Sequence, residues 1–331
     1  MTYHDSGIPH LLTASNTERS NPPYTFSFGP FLFESELDIP ELHQTTGAAI
    51  RTVRVSLGPV PESLAGAIQA GPYTQLTAAE YLLNIPGTAR YYARSGSEVT
   101  VEIAPAARDG DITTYLLGSI FGALCYQNGL LPLHASAVDF AGGVAAFLGD
   151  SGAGKSTLAA CLNRRGHDIV SDDICLLDPA DTAVPRVIPV TGWLKLWNQS
   201  LDHLGALARP EHRVHSAEDK YRLYVRSADP RPRPLRHLIF LERTDDPNAQ
   251  PRLTPLALTE AVAALMDMAY AVYIPALTGQ QPRLFRECAG VFRQAQAYRL
   301  TRPWNLERTG DVLDLLEREL LATNPSTRVT G

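Results

Sequence analysis

A glycine-rich octapeptide carries the strongest chemical signal in the sequence. Residues 149–156 read Gly-Asp-Ser-Gly-Ala-Gly-Lys-Ser and match the pattern G-x-x-x-x-G-K-[S/T]. Glycines permit backbone angles that turn successive N–H groups toward one point, where they can hold phosphate oxygens. In such a loop the lysine neutralises the β- and γ-phosphates, and the hydroxyl that follows reaches Mg²⁺. We therefore predict that this segment binds Mg·ATP and that Ser156 is a metal ligand. The predicted nucleotide contacts are Gly149, Asp150, Ser151, Gly152, Ala153, Gly154, Lys155, Ser156 and Thr157.

Two adjacent carboxylates and one histidine are the candidate proton-handling groups. Asp172 and Asp173 follow the apolar pair Ile169–Val170, and His134 precedes the strand that leads into the octapeptide. A carboxylate near bound phosphate can orient Mg²⁺ or accept the proton of an attacking hydroxyl. Because adjacent strand residues point to opposite faces, the aspartates are not expected to share one role. We predict that Lys155, both aspartates and His134 are catalytic and that Asp173 also binds the metal, while the choice of base stays open. The alternatives are a solvated loop start or helix cap for the aspartates and a structural role for the histidine.

These groups need a strand before the glycine loop and a helix after it. Val144–Leu148 is a short apolar segment of the kind that forms a strand buried on both faces of a sheet. A helix is predicted from Lys155 to Arg165, ended by Gly166, and a strand from Asp168 to Val170. This order predicts an α/β fold and weakens the alternative of a glycine-rich connector that happens to contain a lysine. Further strands are predicted at Val187–Leu196 and Arg236–Leu241, and further helices at Asp111–Gln127, Thr259–Met268 and Arg308–Leu321.

The first third of the chain predicts a smaller, mainly β domain. Its predicted strands are Tyr24–Glu34, Ala48–Val55 and Val99–Ile103. The stretch before them is rich in Ser, Thr, Asn and His, which is typical of disorder. The predicted divisions are a disordered segment 1–21, a mainly β domain 22–108, an α/β domain 109–323 and a flexible tail 324–331. Two local predictions concern the α/β domain: an exposed loop at Asp229–Arg236 and core packing for Trp193 and Trp197.

Composition and charge argue against several classes of function. The 331 residues are 44% hydrophobic and 19% charged, with a formal net charge of −6. A nucleic-acid or anionic-membrane binder needs a surplus of Lys and Arg, so neither partner is expected. No segment reaches the roughly 18 uncharged apolar residues of a membrane span, and the N-terminus lacks the apolar run of a secretory signal. Four cysteines without a CxxC pair argue against a zinc site or a disulfide framework, so we expect a cytoplasmic setting.

The residues around the octapeptide resemble the catalytic domain of the HPr kinase/phosphorylase family. The resemblance rests on His134–Ala135, the glycine loop, Arg165-Gly166-His167 and the double aspartate, with 21 residues from His134 to Lys155 and 17 from Lys155 to Asp172. It covers about 40 residues, from His134 to Asp173. The resemblance implies a P-loop kinase fold of the HPr-kinase type that uses ATP and Mg²⁺. It further implies that Lys155 binds phosphate, that Ser156 holds Mg²⁺, that one aspartate is the base toward an acceptor serine and that His134 supports it. Members of the family form hexamers, which makes a homo-oligomer an expectation.

The chain departs from this family after the double aspartate. The family's Glu-Ile-Arg-Gly-like stretch is replaced by Val190–Trp197, so neither phosphorolysis nor HPr as the substrate is expected. The Leu-His-Ala-Ser-Ala opening, the Lys-Leu-Trp stretch and Asp219-Lys220-Tyr221 resemble a divergent subgroup. That subgroup contains HPr-kinase-like proteins associated with ribosomally made peptides, including lasso-peptide precursors, on which such a kinase phosphorylates a serine.

Together these features predict an ATP-dependent serine kinase whose partner is a peptide or protein acceptor. Two alternatives remain: a non-catalytic ATP-binding regulator and a small-molecule alcohol kinase. Lys195, Lys220 and Arg222 are candidates to contact nucleotide or acceptor phosphate, and the alternative for each is a solvated surface charge.

Overall fold

The computed structural model describes residues 23–43, 51–140, 142–179, 184–190 and 192–322. The predicted disordered segment 1–21 and flexible tail 324–331 lie outside the described residues, as do the first residues of the strand predicted from Ala48. The described chain is a mixed α/β structure with two large sheets and a two-stranded ribbon. No helix in these ranges is long and apolar enough to cross a membrane.

The first sheet contains eight strands from the first third of the chain. They are β1 (Tyr24–Phe28), β2 (Phe31–Ser35), β3 (Arg51–Leu57), β4 (Ile68–Gln69), β5 (Thr74–Leu76), β6 (Glu80–Ile85), β7 (Ala89–Arg94) and β8 (Glu98–Ile103), in the spatial order β1-β2-β3-β8-β7-β6-β5-β4. Buried and more exposed residues alternate along β2 and β7, which is the pattern of a sheet with one fully buried face. The predicted strand Tyr24–Glu34 is a hairpin, because Gly29 turns the chain with a φ of +58°.

The second sheet positions the glycine loop. Its strands are β9 (Leu131–Leu133), β10 (Ala135–Phe140), β11 (Gly143–Leu148), β12 (Asp168–Ser171), β13 (Cys175–Leu177), β14 (Arg186–Ile188), β17 (Arg233–Thr244), β18 (Arg252–Pro255) and β19 (Gln296–Pro303). β11 has the apolar sequence of a strand covered on both faces, and it lies between antiparallel β10 and parallel β17. β17 is also parallel to β19. The carboxyl ends of β11, β17 and β19 therefore lie at one edge of the sheet, where α/β proteins place their ligand sites.

A separate ribbon, eight α-helices and three short 3₁₀-helices complete the described structure. The ribbon is β15 (Trp193–Trp197) paired antiparallel with β16 (Lys220–Tyr224). The helices are α1 (Asp109–Tyr115), α2 (Phe121–Gln127), α3 (Lys155–Arg164), α4 (Asn198–His203), α5 (Leu258–Asp267), α6 (Tyr273–Leu277), α7 (Gln281–Val291) and α8 (Thr309–Ala322). The predicted helix Asp111–Gln127 corresponds to α1 and α2 joined by a π-helical turn, Leu116–Ile120.

Two sequence predictions are wrong in detail. The predicted strand Val187–Leu196 is two strands, because the chain leaves β14 after Ile188 and enters the ribbon at Trp193. The predicted loop Asp229–Arg236 ends early, because β17 begins at Arg233. A local apolar pattern does not show which sheet a strand joins, so both errors arise from pairing between distant segments.

Three apolar clusters form the core. The first apolar cluster joins the first sheet to α1, α2 and the start of the ribbon; in it the Phe28 ring lies 4.8 Å from that of Phe121 and 6.0 Å from that of Trp193. The second cluster packs α5 and α7 on one face of the second sheet, and the third packs α3 and α8 on the other. Trp193 is buried as predicted, whereas Trp197 is exposed over 44% of its surface, so its predicted core packing is wrong. All four cysteines are buried: Cys125 in the first cluster, Cys175 and Cys288 in the second and Cys161 in the third.

Candidate active site

The glycine loop, Gly149–Ser156, joins the end of β11 to the start of α3. Gly149, Gly152 and Gly154 have φ angles of +148°, +84° and +85°, a region that favours glycine. Gly154 is the N-cap of α3 and offers no side-chain acceptor to the N–H groups of the first helical turn. These N–H groups and the positive end of the helix dipole are therefore directed at the loop, which is the geometry of an anion site.

Lys155 folds back over the loop that precedes it. Its side chain is buried, and Nζ donates hydrogen bonds to the carbonyl oxygens of Gly149, at 2.7 Å, and Asp150, at 3.0 Å. Burial lowers the pKa of this ammonium group, although Asp173, Asp172 and Asp150 oppose the shift. The ammonium is thus held at the mouth of the loop by main-chain oxygens. Thr157, the last predicted nucleotide contact, shares a 2.8 Å side-chain hydrogen bond with Ser200 of α4.

Asp172 is buried and accepts hydrogen bonds on both carboxylate oxygens. Ser136 and Ser156 donate their hydroxyls to Oδ1 at 2.6 and 2.8 Å, and the main-chain N–H of Lys195 donates to Oδ2 at 2.8 Å. Burial raises the pKa of Asp172, although these hydrogen bonds act in the opposite direction. The structure therefore brings Ser156 together with Asp172, and the Ser156–Asp173 pair that we predicted as metal ligands is not the pair in contact.

Asp173 faces a different set of groups. Lys195 Nζ lies 2.8 Å from its Oδ2, and His134 Nδ1 lies 3.5 Å from its Oδ1 and 3.1 Å from its main-chain oxygen. Burial alone raises the pKa of Asp173, but the charges of Lys195 and His134 outweigh it and lower the pKa to about 2. Burial and nearby Lys155 lower the pKa of His134. Asp173 also has a φ of +69°, an uncommon backbone conformation for a residue other than glycine and one often found at functional sites.

A cavity of about 660 Å³ joins the glycine loop to Asp173. From the predicted site, its lining includes Ser151, Gly152, Gly154, Lys155, Ser156, Thr157, His134, Asp173, Lys195 and Lys220. Asp172 is absent from the lining, because it is a buried carboxylate that accepts the hydrogen bond of Ser156 from beneath the cavity. The cavity volume lies within the range of roughly 300–1,000 Å³ for small-molecule sites.

Of the three predicted cationic contacts, Arg222 is placed elsewhere. Its guanidinium is buried in an ion pair with Glu41, at 2.9 Å, and it does not line the cavity. Glu41 also accepts a hydrogen bond from Thr113 at 2.7 Å. Arg222 therefore ties the segment after the first hairpin to the ribbon, and the prediction that it contacts phosphate is wrong.

Two cavity residues that no sequence motif marked lie at the end of β19 and directly after it. Arg302 is buried and donates to the carbonyl oxygen of Ala153 at 2.6 Å, and Trp304 lines the cavity beside it. They lie about 150 residues after the glycine loop and belong to no motif. They could have been identified from a prediction that β19 is a parallel neighbour of β17, because the carboxyl ends of parallel strands lie at the same edge of the sheet.

The available oxygens fit a Mg²⁺ ion that also binds phosphate. Ser156 Oγ and the Asp172 carboxylate lie together at the start of α3. Within the described ranges, no cluster of three or more His, Cys, Asp or Glu side chains could hold a metal ion by itself. Mg²⁺ commonly uses one or two protein oxygens and takes its remaining ligands from phosphate and water, so this small donor set suits it.

Neither a family model nor a curated protein matches the sequence. Among solved structures, the chain is similar to the Hpr(Ser) kinase/phosphatase from Coxiella burnetii, with 14% sequence identity, a TM-score of 0.28, and coverage of 58% of this chain and 90% of that chain. A likeness of this size assigns neither a reaction nor a substrate.

Proposed function

We propose that this chain is a kinase that uses Mg·ATP to phosphorylate a serine hydroxyl of a peptide or protein. The observation that carries the proposal is the shared cavity, in which Lys155 and the glycine loop face the same volume as the Asp173 carboxylate. Phosphoryl transfer depends mainly on positioning and on electrostatic stabilisation, and these groups can supply both.

The glycine loop and Lys155 would hold the phosphates. The N–H groups of the loop and of the first turn of α3 would donate to phosphate oxygens, and Lys155 would exchange its two carbonyl acceptors for them. Mg²⁺, when bound, supplies positive charge to the phosphates. Ser156 would ligate it, and Asp172 would orient that hydroxyl from beneath.

Asp173 is the residue that would receive the acceptor hydroxyl. A carboxylate with a pKa of about 2 is a weak base but stays ionised, so its role is to accept the hydrogen bond of the serine and aim its oxygen. Lys195 would keep the carboxylate ionised through the 2.8 Å ion pair. His134 Nδ1 would hold the main-chain oxygen of Asp173, 3.1 Å away, with the carboxylate Oδ1 3.5 Å from the same nitrogen. Because the transition state is loose, orientation is expected to contribute more than early proton removal. The bond between the serine oxygen and the γ-phosphorus would form as the bond from that phosphorus to the ADP oxygen breaks, and the serine proton would pass to Asp173 late in the transfer, as ADP leaves.

The acceptor would enter through the part of the cavity formed by α1 and the π-helical turn. Thr114, Tyr115 and Ser119 line this part. The proposal of a ribosomally made precursor peptide as the acceptor is supported by the resemblance of Leu133–Ala137 and Asp219–Tyr221 to the peptide-associated subgroup.

Intact mass spectrometry tests the proposal directly. Candidate acceptors, namely HPr and precursor peptides encoded beside the gene, are incubated with the protein and Mg·ATP. A gain of about 80 Da on a serine-containing peptide is expected, the mass of one phosphate. Bound ATP without transfer to any acceptor would favour the regulator, and labelled phosphate on small metabolites would favour an alcohol kinase.

The matched variant for this assay is Lys155→Met, which removes the ammonium but keeps most of the side-chain volume. We expect transfer to fall by at least about 10²-fold, because Lys155 is the cation held at the loop. Circular dichroism checks that the fold is retained. A folded Lys155→Met protein with unchanged transfer would contradict the mechanism.

A further inference from the structure

The cavity has a large exposed aromatic ring beside the glycine loop. Trp304 is exposed over 53% of its surface, whereas Trp193 is exposed over 3% and packs in the core. Burial of a tryptophan ring is strongly favourable because the ring has a large apolar surface. A tryptophan that stays exposed at the edge of a concave site therefore offers a surface that a flat ligand can cover.

The position of Trp304 is set by the sheet and by two arginines. It follows β19, which ends at the same edge as β11, and a Cβ placed on Gly154 would lie 3.8 Å from Trp304 Cζ3. The Arg302 guanidinium lies 5.6 Å from the ring centroid and is anchored to the Ala153 carbonyl oxygen, while that of Arg243 lies 5.9 Å away. The ring therefore lies beside the glycine loop before any ligand arrives.

Trp304 and Asp173 occupy different parts of the cavity. The Trp304 ring lies near the guanidinium groups of Arg302 and Arg243 and beside Gly154, whereas Asp173 contacts Lys195 and His134. A nucleoside triphosphate whose γ-phosphate faces Asp173 must direct its other end away from that carboxylate. The segment that follows β19 provides a part of the cavity that lies beside Gly154.

We propose that Trp304 forms the base subsite of the nucleotide site and stacks against the ring of a purine. This inference rests on the proposed function, since it assumes that the glycine loop binds a triphosphate. Thr309 and Val312 of α8 line the same cavity and can pack beside the base. A stack recognises the face of a base and not its edge, so Trp304 contributes affinity for the nucleoside and none for the phosphates.

Calorimetry with ATP and with inorganic tripolyphosphate, both with Mg²⁺, separates these contributions. Trp304→Ala should weaken ATP binding by about 10-fold or more and leave tripolyphosphate binding unchanged, because only ATP carries a base. Trp304→Phe should keep most of the ATP affinity. Phe285→Ala is the matched control, since Phe285 is a similarly exposed aromatic residue (54%) on α7 that does not line the cavity.

The outcomes distinguish the subsite from the proposed function. Equal loss for ATP and tripolyphosphate in Trp304→Ala would mean that the ring only supports the loop, and unchanged ATP affinity would mean that no base lies on it; either result overturns the subsite. If the wild-type protein transfers phosphate while Trp304→Ala binds ATP normally, the subsite alone fails. If the wild-type protein binds neither ligand, the proposed function fails as well.

Tryptophan fluorescence gives a second readout. A stacked base quenches the indole that it covers, so ATP should quench the wild-type protein and Trp197→Phe but not Trp304→Phe. Quenching that persists in Trp304→Phe would place the base elsewhere.

Discussion

At the scale of single residues, two aspartates one position apart have opposite electrostatic environments. Asp172 is surrounded by hydroxyl and N–H donors without a neighbouring cation in contact, and its pKa is raised by burial. Asp173 pairs with Lys195, and its pKa is lowered to about 2. Pairs of carboxylates whose environments separate their pKa values often divide the chemistry of a site between them.

Exchanging each carboxylate for an amide tests this division. Asp173→Asn should lower kcat by about 10²- to 10⁴-fold with little change in ATP affinity, because in the proposed mechanism Asp173 receives the acceptor hydroxyl. Asp172→Asn should instead weaken the Mg²⁺-dependent part of ATP binding, because Asp172 orients Ser156. Rates and calorimetric affinities measured for both variants decide the matter, and a wild-type kcat in Asp173→Asn would refute the assignment.

The ion pair between Lys195 and Asp173 makes a prediction about pH. In the wild-type protein Asp173 stays ionised well below neutral pH, so it should cause no loss of rate between about pH 5 and pH 8. Lys195→Met removes the main charge that lowers the pKa and leaves burial, which raises it. The pKa of Asp173 therefore rises, and kcat/KM should fall at the acidic end of this range. Lys195→Arg, which keeps a cation, is the control; identical pH profiles for wild type and Lys195→Met would exclude this role.

At the scale of elements, the glycine loop is closely fitted to its neighbours at Gly154. A Cβ there would lie 2.6 Å from Arg302 Nη2, and the φ of +85° is strained for any other residue. Gly154→Ala should therefore weaken ATP binding by about 10- to 100-fold through loss of the loop conformation. Gly290→Ala in α7 is the control, because its Cβ meets no atom within 4 Å. That variant should bind ATP normally and gain up to about 1 kcal/mol of stability in thermal unfolding.

The same loop shows what the sequence can predict and what it cannot. The glycine loop, β11 and α3 were predictable because the motif, the apolar strand and the helix are all local patterns. The pairing of Arg222 with Glu41 and the position of Trp304 were not predictable, because each depends on segments far apart in the chain. Arg222 also resembles a surface charge in the sequence, since arginine is seldom fully buried unless it is paired.

At the scale of the whole molecule, the first apolar cluster crosses the predicted domain boundary at residues 108–109. Phe28 of the first sheet packs against Phe121 of α2 and Trp193 of the ribbon. The chain 109–323 by itself would expose this face to water, which opposes independent folding. We expect this fragment to bind a hydrophobic dye and to lack a cooperative thermal transition, whereas the full chain melts cooperatively. A cooperative melt and normal ATP binding by the fragment would show that the boundary separates independent domains.

The four buried cysteines can report when each apolar cluster opens to solvent. Burial raises the pKa of all four thiols, and only an exposed thiolate reacts readily with alkylating reagents. Because every apolar cluster contains at least one of these cysteines, each cluster has its own site for alkylation. The order in which the thiols become alkylated would therefore give the order in which the three apolar clusters open. The thiols are Cys125 in the first cluster, Cys175 and Cys288 in the second and Cys161 in the third.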